Sequence, residues 1–108
     1  RLPQSLATNN AAAIKTSACK LAKIIGYNAS TSVRYLRIYN KSSAPTVGTD
    51  TPILIIPLAP SSNFEFNLAD IGLHLTAGMS IAITGNAASN DNTAIAANDI
   101  LGLNIIYA

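Results

Sequence analysis

Apolar and polar residues alternate along most of the chain in short runs, and that period of two is the mark of half-buried strands. In "RYLRIYNK", residues 34–41, Leu36 and Ile38 point one way and Tyr35, Arg37 and Tyr39 the other. "KLAKIIGYNAS" places Leu21, Lys23, Ile25 and Tyr27 on one face and Ala22 and Ile24 on the other. "NFEFNLA" turns Phe64, Phe66 and Leu68 inward and Asn63, Glu65 and Asn67 outward. "GMSIAITG" gives Met79, Ile81 and Ile83 to a core, with Ser80, Ala82 and Thr84 outside, and "ILGLNIIYA" puts Leu101, Leu103, Ile105 and Tyr107 on one face. "PILIIPL" is different, being apolar at every position from 53 to 56. Such a run fits a strand covered on both faces. Pro52 and Pro57 lack the N–H that a central strand donates, so this strand belongs near a sheet edge, and an apolar edge needs a cover.

No segment carries a convincing helical period. "AAAIKTSACKLAKIIG" comes nearest, but its β-branched residues and Gly26 weigh against a helix. The pattern predicts an all-β protein: a single-domain antiparallel β-sandwich or jelly roll of about seven to eight strands over residues 11–108. Residues 1–10, "RLPQSLATNN", have no sustained period and read as an N-terminal arm, ordered only if something holds it. The stretch "NAASNDNTAIAAND", residues 86–99, reads as a long loop before the last strand, and loops of that length are uncommon unless they bind something or are held by a neighbour.

Composition sharpens the picture. The 108 residues are 49% apolar but only 11% charged, against about 25% in an ordinary soluble domain, so Ser, Thr and Asn supply the polar surface. A surface with so little charge repels neighbours weakly and favours life in an assembly. The charges are also sorted along the chain. All 7 basic residues precede position 42 and all 5 acids follow it. Either the early strands carry a basic outer face, or a basic side of the molecule meets an acidic surface. No run approaches the roughly 18 apolar residues of a membrane helix, and no apolar stretch of signal-peptide type follows Arg1, so neither is expected.

Groups for catalysis are sparse. Cys19 is the single cysteine, so neither an intrachain disulfide nor a cysteine-based zinc site is expected, and its apolar setting reads as that of a small buried hydrophobe. His74 is the single histidine, in "IGLHLTAG", with no Ser/Asp grouping beside it to make it a catalytic base. "NDN" at residues 90–92 offers too few carboxylates for a calcium loop. "TGNAASN" precedes no helix and so lacks the N-terminal N–H groups that hold phosphate. The sequons "NAS" at Asn28 and "NKS" at Asn40 matter only in a secreted eukaryotic protein. No enzyme, cofactor, metal or membrane partner is expected, and a net charge of +2 with scattered basic residues does not favour nucleic acid.

The most ligand-like feature is the face shared by Tyr35, Arg37 and Tyr39, since tyrosine and arginine are enriched at interface hot spots and also stack on rings. Three readings stay open there: tyrosines covering a sheet, a protein contact, or a sugar or nucleic acid. Together with Ile53 and Ile55 of the apolar strand and Asn90, Asp91 and Asn92 of the long loop, these residues form the expected partner interface.

The runs "GYNASTSVRYLRIYNKSSAPTVGTDTPILIIPL" and "GLHLTAGMSIAITGNAASNDNTAIAANDILGLNIIYA" resemble a family of small virion proteins of tailed bacteriophages. The likeness rests on "YN" with a small-residue turn at residues 26–28, "RYLRIYNK" at 34–41, and "APTVGTDTP" at 44–52. It continues in the glycine-initiated strand at 78–85 and in "DILGLNIIYA" at 99–108. The resemblance runs from about Lys20 onward and implies a head decoration (cement) protein: a homotrimer on the outer capsid surface that bridges copies of the major capsid protein without any reaction or cofactor. The alternative it leaves is a tail- or neck-associated domain that binds a host glycan or another virion protein.

Overall fold

The computed structural model describes residues 2–68 and 72–108; Arg1 and residues 69–71, with the acid Asp70 among them, lie outside the described residues. Among the described residues nine strands are formed: β1 (Leu2–Gln4), β2 (Ala12–Lys15), β3 (Cys19–Asn28), β4 (Arg34–Tyr39), β5 (Leu54–Leu58), β6 (Ser62–Asn67), β7 (Leu73–Leu75), β8 (Met79–Thr84) and β9 (Ile100–Tyr107). One sheet has the order β1-β9-β3-β6 with β7 also on β3, and the other has the order β2-β8-β4-β5. All pairings between these strands are antiparallel. β3 pairs with β7 through Cys19–Leu21 and with β6 through Lys23–Asn28, so β6 and β7 lie end to end along one edge. Counted as one strand, they leave eight, and the two sheets then read 1-8-3-6 and 2-7-4-5 in chain order. That is the order of a jelly roll, whose chain passes back and forth between two facing sheets. The two forms left open by the periodicity are thereby resolved.

The core between the sheets is filled by Leu21 and Ile24 of β3, Leu36 and Ile38 of β4, Leu58, Leu75, Met79, Ile81 and Ile83, and Ile100 and Leu103 of β9, all buried. Each such aliphatic chain contributes roughly 1.5–3 kcal/mol by leaving water. β4 and β8 follow the alternation read from the sequence. β3 and β9 do not hold a single phase. Leu21 and Ile24 both enter the core because a β-bulge between Leu21 and Lys23 sets two residues of β3 against one of β9. An extra residue in one strand resets which side chains face inward beyond it. A second irregularity sits at Gly102, whose φ of +61° suits the left-handed position of a bulge. Leu101 therefore parts from Leu103 and Ile105 and turns to the outer face, pairing with Tyr27. The predicted single faces "Leu21, Lys23, Ile25, Tyr27" and "Leu101, Leu103, Ile105, Tyr107" are corrected accordingly.

The first residues are not a free arm. Leu2 and Gln4 pair with Leu103 and Leu101, so β1 forms the edge of the first sheet. The Ser5 N–H donates to Ile100 O at 2.8 Å and Asn98 N–H donates to Ser5 O at 2.9 Å. The Ser5 hydroxyl, fully buried, donates to Ala96 O and accepts from Ile100 N–H. Thr8 O then accepts from Ile95 N–H and Asn9 O from Ile83 N–H, carrying the segment across to the second sheet. Too few apolar anchors suggested that residues 1–10 needed an outside partner; backbone and hydroxyl hydrogen bonds anchor residues 2–9 to their own domain instead.

"PILIIPL" sits where its prolines require. β5 is the edge of its sheet, with Leu54 and Ile56 against the core and Ile53 and Ile55 outside it.

Candidate functional site

The outward side of β4 and β8 is not open surface. Arg37, Tyr39, Ser80, Ala82 and Thr84 are all buried beneath loops 40–53 and 85–99. Arg37 is the post on which the second loop rests. Its Nε donates to Thr84 Oγ1 at 2.7 Å, Nη2 to Asn86 O and Ala88 O at 2.7 Å each, and Nη1 to Ser89 O at 3.2 Å. Among the described residues its acceptors are one hydroxyl and three carbonyls, with no carboxylate, and charge-assisted bonds of this kind are the stronger class. The planar guanidinium fork can serve several acceptors at once, which the ammonium of a lysine cannot do from one fixed plane.

Around this post the loops hold themselves. Asp91 Oδ2 accepts from Asn86 N–H, Thr93 N–H and Thr93 Oγ1, while Oδ1 accepts from the Asn86 amide. Partial burial works to raise the Asp91 carboxyl, but the hydrogen bonds from Thr93 and Asn86 outweigh it and hold it below the usual carboxylate range. In the other loop Asp50 accepts from Lys41 Nζ at 2.6 Å and from Thr46 N–H at 2.7 Å, and the Lys41 hydrogen bond leads in keeping its carboxyl low. The two loops meet at Gly48, where an added Cβ would lie 3.3 Å from Asn90 O and 3.4 Å from the Asn92 side chain. Tyr39 lies buried near both systems, and burial pushes its phenol up, with Arg37 opposing and Asp50 adding.

The expected interface therefore divides. Arg37 and Tyr39 are interior groups and present no surface to a partner; this corrects their placement as contact residues. Asp91 is occupied within its own loop. Asn90 and Asn92 are exposed, Ile53 is 47% exposed, and Tyr35 and Ile55 are half-buried, so these five remain available at the loop surface and the β5 edge. Periodicity assigned the outward face of β4 correctly; it could not see the loops folding over it.

Among the described residues, no loop is folded over the other outer face. On the sheet formed by β1, β9, β3, β6 and β7, the bulges bring Ile25, Tyr27, Leu101 and Ile106 to the solvent side, beside the Lys23–Glu65 ion pair at 2.8 Å. Tyr27 is 37% and Ile106 49% exposed. A shallow hollow runs there beside Gly102, where an added Cβ would meet only open space. Sequence reasoning missed this face. Ile106 directly follows the inward Ile105, and Leu101 was grouped on one face with Leu103 and Ile105.

The charge sorting is in part consumed inside the chain, by three ion pairs among the described residues. Lys23–Glu65, Arg34–Asp99 at 2.9 Å and Lys41–Asp50 each join an early base to a late acid. Asp99 also accepts from Ala96 N–H, so its pair with Arg34 fastens the end of the long loop. Cys19 is buried, and burial pushes its thiol up against the opposing pull of Lys15, which keeps it in the poorly nucleophilic protonated form. His74 is exposed on β7, opposite Lys20. Asn28 is fully buried and bonded to Leu58 O and Ser32 O, so its sequon is closed to modification. Among the described residues no group of three or more His, Cys, Asp or Glu side chains is placed to hold a metal ion. Compared with known proteins, the chain matches no family model, no curated protein and no solved structure.

Proposed function

We propose that this protein is a structural component of a bacteriophage particle, a decoration protein on the outer surface of the head that joins as a homotrimer and bridges major capsid subunits. The observation that carries the reading is the bare face of the β1-containing sheet, where Tyr27, Ile106, Ile25 and Leu101 lie together on a molecule whose surface is poor in charge. Apolar area exposed together in this way marks an interaction site, and an aromatic side chain at its centre is the usual anchor. Two further features support it. The jelly-roll order is one that viral capsid domains use, an analogy of fold and not of sequence. The loops over the opposite face are tied down by Arg37, Asp91 and Asp50, which offers a partner a preformed surface around Asn90, Asn92 and Ile53.

The test is attachment to undecorated heads. Ile106→Asp and Tyr27→Asp place a charge on the bare face without touching the core, and each should lower occupancy sharply while thermal unfolding stays near that of the parent. Light scattering of the free protein should give about three chains per particle, the closed ring expected of a cyclic homo-oligomer. Folded variants that decorate heads as fully as the parent would remove the face from the interface and the reading with it.

A further inference from the structure

Protein interiors are packed like organic crystals, with few voids larger than a water molecule. This one departs from that rule beside β2. Where residues 6–12 cross from the first sheet to the second, a cavity of about 350 Å³ opens between the sheets. Its floor is Ile81, Leu103, Ile14 and Ile105. The gap has a sequence cause. Ala12 stands opposite Ile81 in the β2–β8 pairing, within the run Ala11–Ala13, and its single methyl leaves unfilled the space that leucine or isoleucine fills elsewhere in the core.

The rim is different in chemistry and is held by its own hydrogen bonds. Leu6, Thr8, Asn9 and Asn10 surround the opening. Asn10, at φ 54°, closes the turn by accepting from Leu6 N–H and donating to Leu6 O and Thr8 O. Thr8 Oγ1 accepts from Asn10 N–H, which leaves its hydroxyl proton to donate. Asn9 Oδ1 accepts from Ala11 N–H, and its amide NH2 finds no acceptor among the described residues. Two donors thus stand at the mouth of an apolar chamber that has no Lys, Arg, Asp or Glu in its lining.

We propose that this cavity binds a small linear amphiphile: an alkyl chain seated on Ile14, Ile81, Leu103 and Ile105, with an uncharged, hydrogen-bond-accepting head at Thr8 and Asn9. Volume sets the size. An apolar cavity of about 150 Å³ stays dry and takes one benzene, so this one accommodates a chain of about eight carbons with its head. The absence of a cation in the lining sets the head group, because a carboxylate would lose its hydration there without a counter-charge. The site lies between the sheets and is independent of the bare outer face.

Straight-chain octanol is the probe, titrated into protein carrying labelled Ile and Leu methyl groups and followed by NMR. Saturable shifts are expected at Ile14, Ile81, Leu103 and Ile105 and not at Ile53 or Ile106, with octanoate weaker than octanol. Ala12→Leu fills the chamber and should weaken octanol by about tenfold or more. Asn9→Asp keeps the acceptor for Ala11 N–H but removes the amide donor; it should weaken octanol and leave benzene binding unchanged. The proposal is overturned by the absence of saturable shifts, by equal shifts at the exposed methyls, or by undiminished binding to a folded Ala12→Leu protein. If Ala12→Leu does not fold, Asn9→Asp decides: octanol affinity equal to that of the parent is incompatible with the head position assigned here.

Discussion

Arg37→Ala removes the post under the long loop, and its effect can be worked from the geometry. The bond from Nε to Thr84 Oγ1 lies in the buried layer between β4 and β8. A buried hydrogen bond to a charged group contributes roughly 1.5–3 kcal/mol. The three acceptor carbonyls, of Asn86, Ala88 and Ser89, belong to exposed loop residues and regain water when the loop lifts, so each adds less than the buried bond. The emptied space against Ala82 and Ile55, the strand neighbours of Arg37, adds a packing loss. The sum is about 3 kcal/mol, a large share of the 5–15 kcal/mol that holds a small domain. In urea, with m near 1–3 kcal/mol/M, the midpoint should fall by roughly 1–3 M. Hydrogen exchange should locate the damage, with the amides of residues 86–93 losing protection before those of β3 and β9. Arg37→Lys keeps the charge but not the fork, and it should recover only part of the loss. An Arg37→Ala protein within about 0.5 kcal/mol of the parent, with the loop amides still protected, would refute the role given to this side chain.

The bulge in β3 makes a sharper test of register. Ile24→Ala should destabilise by about 2–5 kcal/mol while its neighbour Ile25→Ala stays within about 1 kcal/mol, as read by chemical denaturation. The reverse order would restore the uninterrupted alternation that the structure breaks. The Asp91 carboxyl is held below its ordinary value in the folded loop, so its contribution is complete above the unfolded carboxylate value of about 3.9 and is lost as pH falls through the lower folded value. The amide resonances of Asn86 and Thr93 should therefore stay fixed down to pH near 4 and move only in more acid solution; Asp91→Asn should make them insensitive to that change.

Strand identity and fold class were legible in the sequence because alternation is local: side chains two apart share a face whatever the rest of the chain does. The edge position of β5 was legible for a related reason, since Pro57 carries its missing N–H wherever the strand lies. Phase was another matter. The bulge at Leu21–Lys23 and the turnover at Gly102 depend on how β3 and β9 fit one another, and a strand read alone gives no sign of where its partner will skip a residue. The fate of Tyr35, Arg37 and Tyr39 shows the same limit. Their shared face was evident from spacing, but Arg37 is buried by carbonyls 49 to 52 residues away, and only the folded chain brings them over it. Ser5 meets its partners at separations of 91 and 95 residues, so the opening segment looked unanchored. Its anchors are hydroxyl and backbone groups, which carry no hydrophobic pattern to read. The sequence by itself determined that this chain makes strands and a two-sheet core, because both follow from side chains at short range. Tertiary structure alone decided which outer face is covered by loops, which is left bare, and where a row of alanines leaves space, because each of these depends on what a distant segment is placed against.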